Sequence, residues 1–272
     1  MLKPPYTQYD RLFVYNLSLS ELPPLTDPDL IGAWVEDGEA VLFFHKAKKG
    51  LVEELCRRTG GSLIYEADLD YRDWEAGHAI SAFTVAGFTV APAWEEGPAD
   101  IRLDPSVVFG SGFHPTTRLC LEALLGLLAA PPFPIRTMLD LGSGTGLLAI
   151  AAARRGVEAV TAIDHNTLAC ELAAANAARN GVAGRVRVRR LDLRQECPDT
   201  RVDLVVANLY RTLLEGLFQN PEFWHARRHI ISGFVPAMEA DLLAALPARG
   251  LKFLARGRKE LWCLWEIESS NK

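Results

Sequence analysis

From about residue 115 onward, strand-like and helix-like runs alternate with short breaks, and few folds accommodate that order. Strand-like runs at 137–141, 159–163, 185–190, 202–207 and 229–232 are separated by helical runs at 146–155, 168–180 and 213–218. A further apolar helix at 116–129 precedes them and is stopped by Pro131-Pro132. The run 202–207 is apolar almost throughout, as a strand covered on both faces requires. Strands joined through helices run parallel, with the helices packed over both faces. After a last helix at 236–246, the runs 251–255 and 261–267 read as a closing hairpin that adds an antiparallel strand. The expected fold is α/β: a doubly wound, mostly parallel seven-stranded sheet preceded by a small N-terminal α+β domain.

The N-terminal part carries the second pattern. Runs 30–35 and 39–44 flank Glu36-Asp37-Gly38, a hairpin signal. Strand-like runs also fall at 11–17 and 62–67. Leu51, Val52 and Leu55 give 48–58 a helical spacing, which Gly60-Gly61 ends. The polar and aromatic stretch 68–77 reads as a linker, and 83–92 and 101–103 read as short strands leading into the second domain. The expected boundaries are 1–68 for the small domain, 69–90 for the linker and 91–272 for the ligand-binding domain.

The chain of 272 residues carries a net charge of −5, which argues against a broad phosphate-backbone surface and suits a basic protein as substrate. No apolar run reaches the roughly 20 residues of a membrane-spanning helix. Residues 1–10 have proline and tyrosine where a signal peptide would be apolar. Cys56, Cys120, Cys170, Cys197 and Cys263 are scattered without a C-x-x-C pair, so reduced thiols and a cytoplasmic location are expected.

Asp140-Leu141-Gly142-Ser143-Gly144-Thr145-Gly146 lies directly between a strand and a helix. Glycines there let the backbone approach a ligand closely. Position 147 is Leu rather than the Gly of a dinucleotide fingerprint, and the Lys of a P-loop is missing. The G-x-G-x-G form suits an adenosyl-amino acid, S-adenosylmethionine (SAM), which has no pyrophosphate to cradle. Gly142, Gly144, Gly146 and Asp140 are therefore cofactor candidates. Asp164 ends the next strand, where a carboxylate can accept both ribose hydroxyls; capping the helix that starts near Thr167 is its alternative. Asp192 ends the third strand and can meet an adenine amino group or cap a helix. Asn208-Leu209-Tyr210 stands at the carboxyl end of 202–207, where ligands of open α/β sheets bind. The Asn208 amide, with an acceptor and two donor hydrogens, can hold an amine nucleophile near a sulfonium methyl, with Tyr210 beside it. Phe109-Gly110-Ser111-Gly112-Phe113-His114-Pro115-Thr116-Thr117 reads as a loop over the cofactor. In it Phe109, Gly110, Thr116 and Thr117 are cofactor candidates, His114 is a candidate helper in catalysis or a packing residue, and Thr116 is also a candidate N-cap.

No metal site is expected. His225 and His229 sit four apart on a possible helix, but without an acidic partner they read as a solvated basic face. Arg185, Arg187, Arg189 and Arg190 read as a solvated strand edge.

Asp104 to Thr117, Asp140 to Gly146, Asp164 and Asn208-Leu209-Tyr210 together resemble the bacterial ribosomal protein L11 methyltransferases (PrmA) over roughly residues 90 to 267. The resemblance implies a class I methyltransferase fold and places SAM contacts on Thr117, Gly142, Asp164 and Asn208. It also implies methylation of lysine side chains and an N-terminal α-amine, and a ferredoxin-like N-terminal domain that recognises the ribosomal protein. Upstream the pattern departs: Trp74 has no second Trp beside it, and a proline-rich stretch at 19–30 stands where a first helix belongs. A methyltransferase of a small molecule or nucleic acid, or a SAM-binding module without activity, are the other readings.

Overall fold

The structure, a computed structural model, describes residues 1–3, 5–74 and 77–270. Residues 75 and 76 of the expected linker and the last two residues of the expected second domain lie outside the described residues.

The chain begins with strands β1 (Arg11–Ser18), β2 (Leu30–Glu36) and β3 (Glu39–Phe44), helix α1 (Lys49–Thr59) and strand β4 (Ser62–Asp70). They form an antiparallel sheet of order β2-β3-β1-β4. Asp37 at φ 51° and Gly38 at φ 84° make the two-residue turn that the twist of a β2–β3 hairpin favours. Helix α1 ends where Gly60 enters the left-handed region at φ 75° and donates its N–H to Cys56 O.

Alternation along β1 sends its side chains to two cores. Tyr15 and Leu17 face Val52 and Leu55 of α1. The proline-rich stretch, which contains no helix, lays Leu19, Leu22 and Leu25 on that same face. Leu12 and Val14 face the other way, onto Leu168, Ala169 and Leu172 of a helix in the larger half of the molecule.

Helix α2 (Tyr71–Trp74) follows β4 directly, and its Tyr71 is buried. A three-stranded sheet then combines the hairpin β5 (Phe83–Val85) and β6 (Phe88–Pro92) with the parallel strand β7 (Ile101–Leu103). The stretch expected as a linker thus holds a strand end, a helical turn and a hairpin.

Beyond it come α3 (Pro115–Ala129), β8 (Thr137–Leu141), α4 (Leu147–Arg154), β9 (Ala159–Asp164), α5 (Thr167–Arg179), β10 (Val186–Arg190), β11 (Leu204–Asn208), α6 (Arg211–Phe218), β12 (Arg228–Phe234), α7 (Glu239–Ala244), β13 (Leu251–Lys259) and β14 (Trp262–Ser269). The seven-stranded sheet has the order β10-β9-β8-β11-β12-β14-β13, parallel except for β14, which is antiparallel to β12 and β13. From β8 the chain winds one way to β10 and from β11 the other way to β12, so the topological switch point lies between β8 and β11. Val205 and Ala207 face one core, while Leu204 and Val206 face the other, so β11 is buried on both faces as its composition required. It starts two residues later than the apolar run. Its predecessor Asp203 instead accepts the Arg136 and Thr137 N–H groups at 2.8 and 2.9 Å, fixing the start of β8.

Two segments depart from the expected pattern. The single helix at 236–246 is a 3-10 turn, Pro236–Met238, followed by α7. His225 and His229 do not share a helix face. His225 ends a 3-10 turn, Pro221–His225, whereas His229 lies inside β12 between β11 and β14 and is fully buried. Its Nε2 bonds Phe223 O at 2.9 Å, and burial lowers its pKa to about 4. The arginines of β10 do lie on an exposed sheet edge.

Candidate active site

The carboxyl ends of β8, β9 and β11 open onto one cleft, lined among others by Gly142, Asp164, Asp192, Leu209 and Tyr210, with a volume of about 180 Å³. Gly142, which opens the glycine turn after β8, lies at its floor. All three glycines have positive φ, and each clears a different neighbour. A Cβ on Gly142 would stand 2.4 Å from Leu209 Cδ2, beyond β11. On Gly144 it would stand 2.1 Å from Phe109 O in the loop before α3, and on Gly146 3.0 Å from Ala173 Cβ of α5. Gly142 alone of the three lines the cleft; Gly144 and Gly146 let the loop and a helix pack against the turn.

The loop 109–114 is pinned to that turn. Phe109 O accepts from Thr145 N at 3.0 Å, and Gly110 O accepts from Thr145 Oγ1 at 2.7 Å. His114 is the N-cap of α3: its Nδ1 accepts from Thr116 N at 3.3 Å and bonds Thr116 Oγ1 at 2.7 Å. The cap thus belongs to His114, not Thr116. Burial lowers the His114 pKa, which favours the neutral ring. The ring also packs between Phe109 and Trp262, at centroid separations of 5.1 and 4.7 Å. Thr116 and Thr117 are buried, and the Thr117 hydroxyl is 3.5 Å from Asn208 Nδ2. Tyr210, two residues on, is exposed at the mouth.

Asp164 bridges β9 to the glycine turn. Its Oδ2 accepts from Gly144 N and its Oδ1 from Asn166 N, both at 3.0 Å. Helix α5 is capped by Asn166, which accepts from Leu168 and Ala169 N–H, so the capping alternative for Asp164 falls to its neighbour. Asp192 also lines the cleft, but Arg194 Nε and Nη2 hold its carboxylate at 2.9 to 3.1 Å. This pair lowers the Asp192 pKa. Asp140 lies beneath the floor, completely buried. Its Oδ2 accepts from Ala149 N at 3.1 Å, which orients α4, and burial raises its pKa to about 7.

Several positioning residues carry no motif. Asn176, fully buried on α5, accepts from Asp104 N and donates to Asp104 O and Thr145 O at 2.9 to 3.0 Å. It thereby ties the loop's start to the glycine turn. Asn180, one turn on, does the same for both backbone groups of Arg102. Two asparagines four apart on a helix that is otherwise rich in alanine were the signal for this pair. Glu36, His165 and Arg194 also border the cleft, and no local pattern marks them.

A glycine turn after the first strand, an acid ending the second and an Asn ending the fourth, on a sheet whose seventh strand is inserted antiparallel, define a class I methyltransferase-like fold. The solved ribosomal protein L11 methylase of Lactobacillus delbrueckii subsp. bulgaricus is similar at a TM-score of 0.60 and 28% identity, covering 70% of this chain and 100% of that one. The chain belongs to the ribosomal protein L11 methyltransferase (PrmA) family, whose model matches residues 58–269. A Ribosomal protein L11 methyltransferase of Brevibacillus brevis is 37% identical over 92% of this chain and 83% of its own length. One of Pelotomaculum thermopropionicum is 40% identical over 64% of this chain. The chain spans 57% of that relative's length and 61% of the one from Syntrophotalea carbinolica, less than two thirds in both.

Proposed function

We propose that this chain transfers methyl groups from SAM to amine nitrogens of a ribosomal protein, on lysine side chains, an N-terminal α-amine or both. The observation that carries the reading is the convergence of the carboxyl ends of β8, β9 and β11, where Gly142 and Asp164 line the cleft and Asn208 immediately precedes its lining residues Leu209 and Tyr210. The cleft fits an adenosyl-amino acid. Gly142 leaves its floor without a side chain, the buried Ser143 hydroxyl has no hydrogen-bond partner among the described residues, and no basic residue falls within the turn 142–146, His165 and Arg194 lining the cleft from elsewhere. Gly142, Asp164 and Thr117 would hold the cofactor, with Asp164 on the ribose and Asp192 near the adenine. When bound, SAM supplies an electrophilic methyl on a sulfonium.

The remaining work is alignment of the amine and exclusion of water. Asn208, whose amide already points at Thr117, orients the incoming nitrogen through its acceptor oxygen, and Tyr210 stands exposed at the cleft to receive the side chain. A lysine must first lose a proton, which costs roughly 4–5 kcal/mol at pH 7, against about 1 kcal/mol for an α-amine. A desolvated seat beside Asn208 lowers either cost. His114 keeps its Nδ1 on Thr116 and packs with Phe109 and Trp262, so its part is to hold the loop in place.

The N-terminal sheet would recognise the protein substrate, with 1–68 as that unit, 69–90 as the connection and 91–272 as the catalytic unit. The relatives' names point to ribosomal protein L11 as substrate. A cytoplasmic location accords with that substrate. Among the described residues no helix is long and apolar enough to cross a membrane.

Incubation with methyl-labelled SAM and ribosomes lacking this modification tests the reading. Label is expected in one ribosomal protein, at lysine or the N-terminus. Label in RNA or small molecules instead, or SAM binding without transfer to any fraction, overturns it.

A further inference from the structure

The ends of the cleft are not closed by the seven-stranded unit alone. The β2–β3 turn of the N-terminal sheet reaches over it, and Glu36 lines the cleft beside Gly142 and Asp164. Glu36 Oε1 lies 2.9 Å from His165 Nε2 and 3.7 Å from Arg194 Nη1. Behind these two groups stand the two carboxylates of the cofactor reading. His165 Nδ1 is 3.6 Å from Asp164, and Arg194 Nη2 is 2.9 Å from Asp192. Asp164, His165, Glu36, Arg194 and Asp192 thus form one chain of contacts, with the N-terminal sheet holding its middle link. Glu36, His165, Asp192 and Arg194 are also the wall between this cleft and a second hollow beneath the turn.

We propose that Glu36 is a cofactor-site residue supplied by the N-terminal sheet, and that it couples occupancy of the cleft to the seating of that sheet. The inference rests on the SAM reading of the cleft. The direction follows from competition for Arg194. In the structure the guanidinium is shared between Asp192 and Glu36, with Asp37 at 3.8 Å as a further partner. Asp192 holds it here at 2.9 Å and Glu36 stands second at 3.7 Å, so Glu36 is the group placed to take up the guanidinium when an adenine amino group engages the Asp192 carboxylate. A ligand that engages Asp164 and Asp192 in turn releases His165 and Arg194 to Glu36, which tightens the turn. The two effects are one coupling seen from either side, so each must accompany the other. The sheet is packed and hydrogen-bonded directly onto the larger unit. Gly32 lies so close to Leu168 that an added Cβ would stand 2.5 Å from the leucine, and Tyr9 hydroxyl donates to Asp104 at 2.9 Å, at the start of the loop over the cleft.

The test is SAM affinity by calorimetry on the full chain, for wild type and Glu36→Ala, at low salt and at about 1 M salt, where the screening length is about 3 Å. Glu36 ends β2 with a partly exposed side chain, and an unchanged melting temperature confirms that the variant folds. Exposed ion pairs are individually weak, so the expected loss at low salt is about three- to tenfold, shrinking towards none at high salt. Amide exchange supplies the reciprocal reading: SAM slows exchange in the β2–β3 turn of wild type and leaves that of Glu36→Ala unchanged. Equal affinities at low salt, or a turn whose exchange ignores SAM in wild type, overturn the proposal while the cofactor reading stands. A wild-type chain that binds no SAM overturns the cofactor reading, and the coupling with it.

Discussion

The two larger sheets of this molecule solve the same problem by different means. The seven-stranded sheet covers both faces with helices drawn from its own alternation: α3, α4 and α5 supply one side, and α6, α7 and the turn at Pro221–His225 the other. The four-stranded sheet has the strand order of a ferredoxin-like unit but owns a single helix across its face, α1. Leucines of the proline-rich stretch fill the place of a second helix, and its opposite face rests on α5 of the larger unit. Helix α5 therefore serves two cores at once. Ala177 packs towards the seven-stranded sheet, while Leu168, Ala169 and Leu172 pack towards the four-stranded one. A sheet finished by a neighbour's helix cannot leave that neighbour without exposing apolar surface, which places its β2–β3 turn over the cleft.

The most damaging change belongs to the larger unit alone. Gly144→Ala would press a Cβ against Phe109 O at a residue whose φ is 53°. A cost of about 3 kcal/mol or more is expected, together with loss of SAM binding as the loop lifts from the turn. Denaturant unfolding and calorimetry measure both. A variant of wild-type stability would show that the loop does not pack on the turn.

Leu172→Ala strikes the shared helix on its other side. The residue is fully buried against the N-terminal sheet, so a loss of about 2–4 kcal/mol is expected. If α5 makes one cooperative body of both sheets, thermal unfolding stays a single transition and moves as a whole. Two transitions, of which only the first shifts, would show that the sheets unfold separately and that the borrowed face is weakly held.

Asp164→Ala tests the cleft where both units meet. It removes an acceptor from Gly144 N–H and the expected ribose partner. SAM binding should weaken by on the order of 1–3 kcal/mol. Unchanged affinity would detach Asp164 from the cofactor and leave it a brace for the turn.

What could be read from residue order divides along the same line. Strand β11 announced itself because burial on both faces demands a nearly unbroken apolar run, and the glycine turn between β8 and α4 has a fixed spacing. Asp164 and Asn208 followed, since strand ends in such a sheet converge on one crevice. The N-terminal sheet was legible strand by strand, but not its second face. Nothing in 11–44 states that Leu12, Val14 and Phe43 await Leu168, more than a hundred residues away. Glu36 and Arg194 stayed hidden for the same reason. The glycines were legible as a group, but not the protein neighbours that each one clears, Phe109 O for Gly144 and Ala173 for Gly146. The burial of His229 was not legible, because spacing by four also fits one helix face in a stretch that a proline-started 3-10 turn and a strand divide.

That histidine and His45 provide the gentlest comparison of the two units. Each lies in one of the two sheet regions, and burial lowers each pKa from 6.5 to about 4. The sign follows from the depressed value. Above pH 6.5 both rings are neutral folded or unfolded; below it only the unfolded chain gains the protons, so stability falls as pH drops towards 4. His229 is wholly buried, with Nε2 bonded to Phe223 O, and should contribute a loss on the order of 1 kcal/mol by pH 5.5. His45 is only partly enclosed, stacked on Tyr6 with ring centroids 3.7 Å apart, and solvent tempers its share. His229→Gln, which keeps a donor for Phe223 O, should cost some packing at pH 7.5 and flatten the fall between pH 7.5 and 5.5. His45→Gln should flatten it less. Equal slopes in wild type and both variants would place the acid sensitivity on other groups, and a larger effect at His45 would show that the borrowed face seals the small sheet as tightly as the larger one is sealed by its own helices.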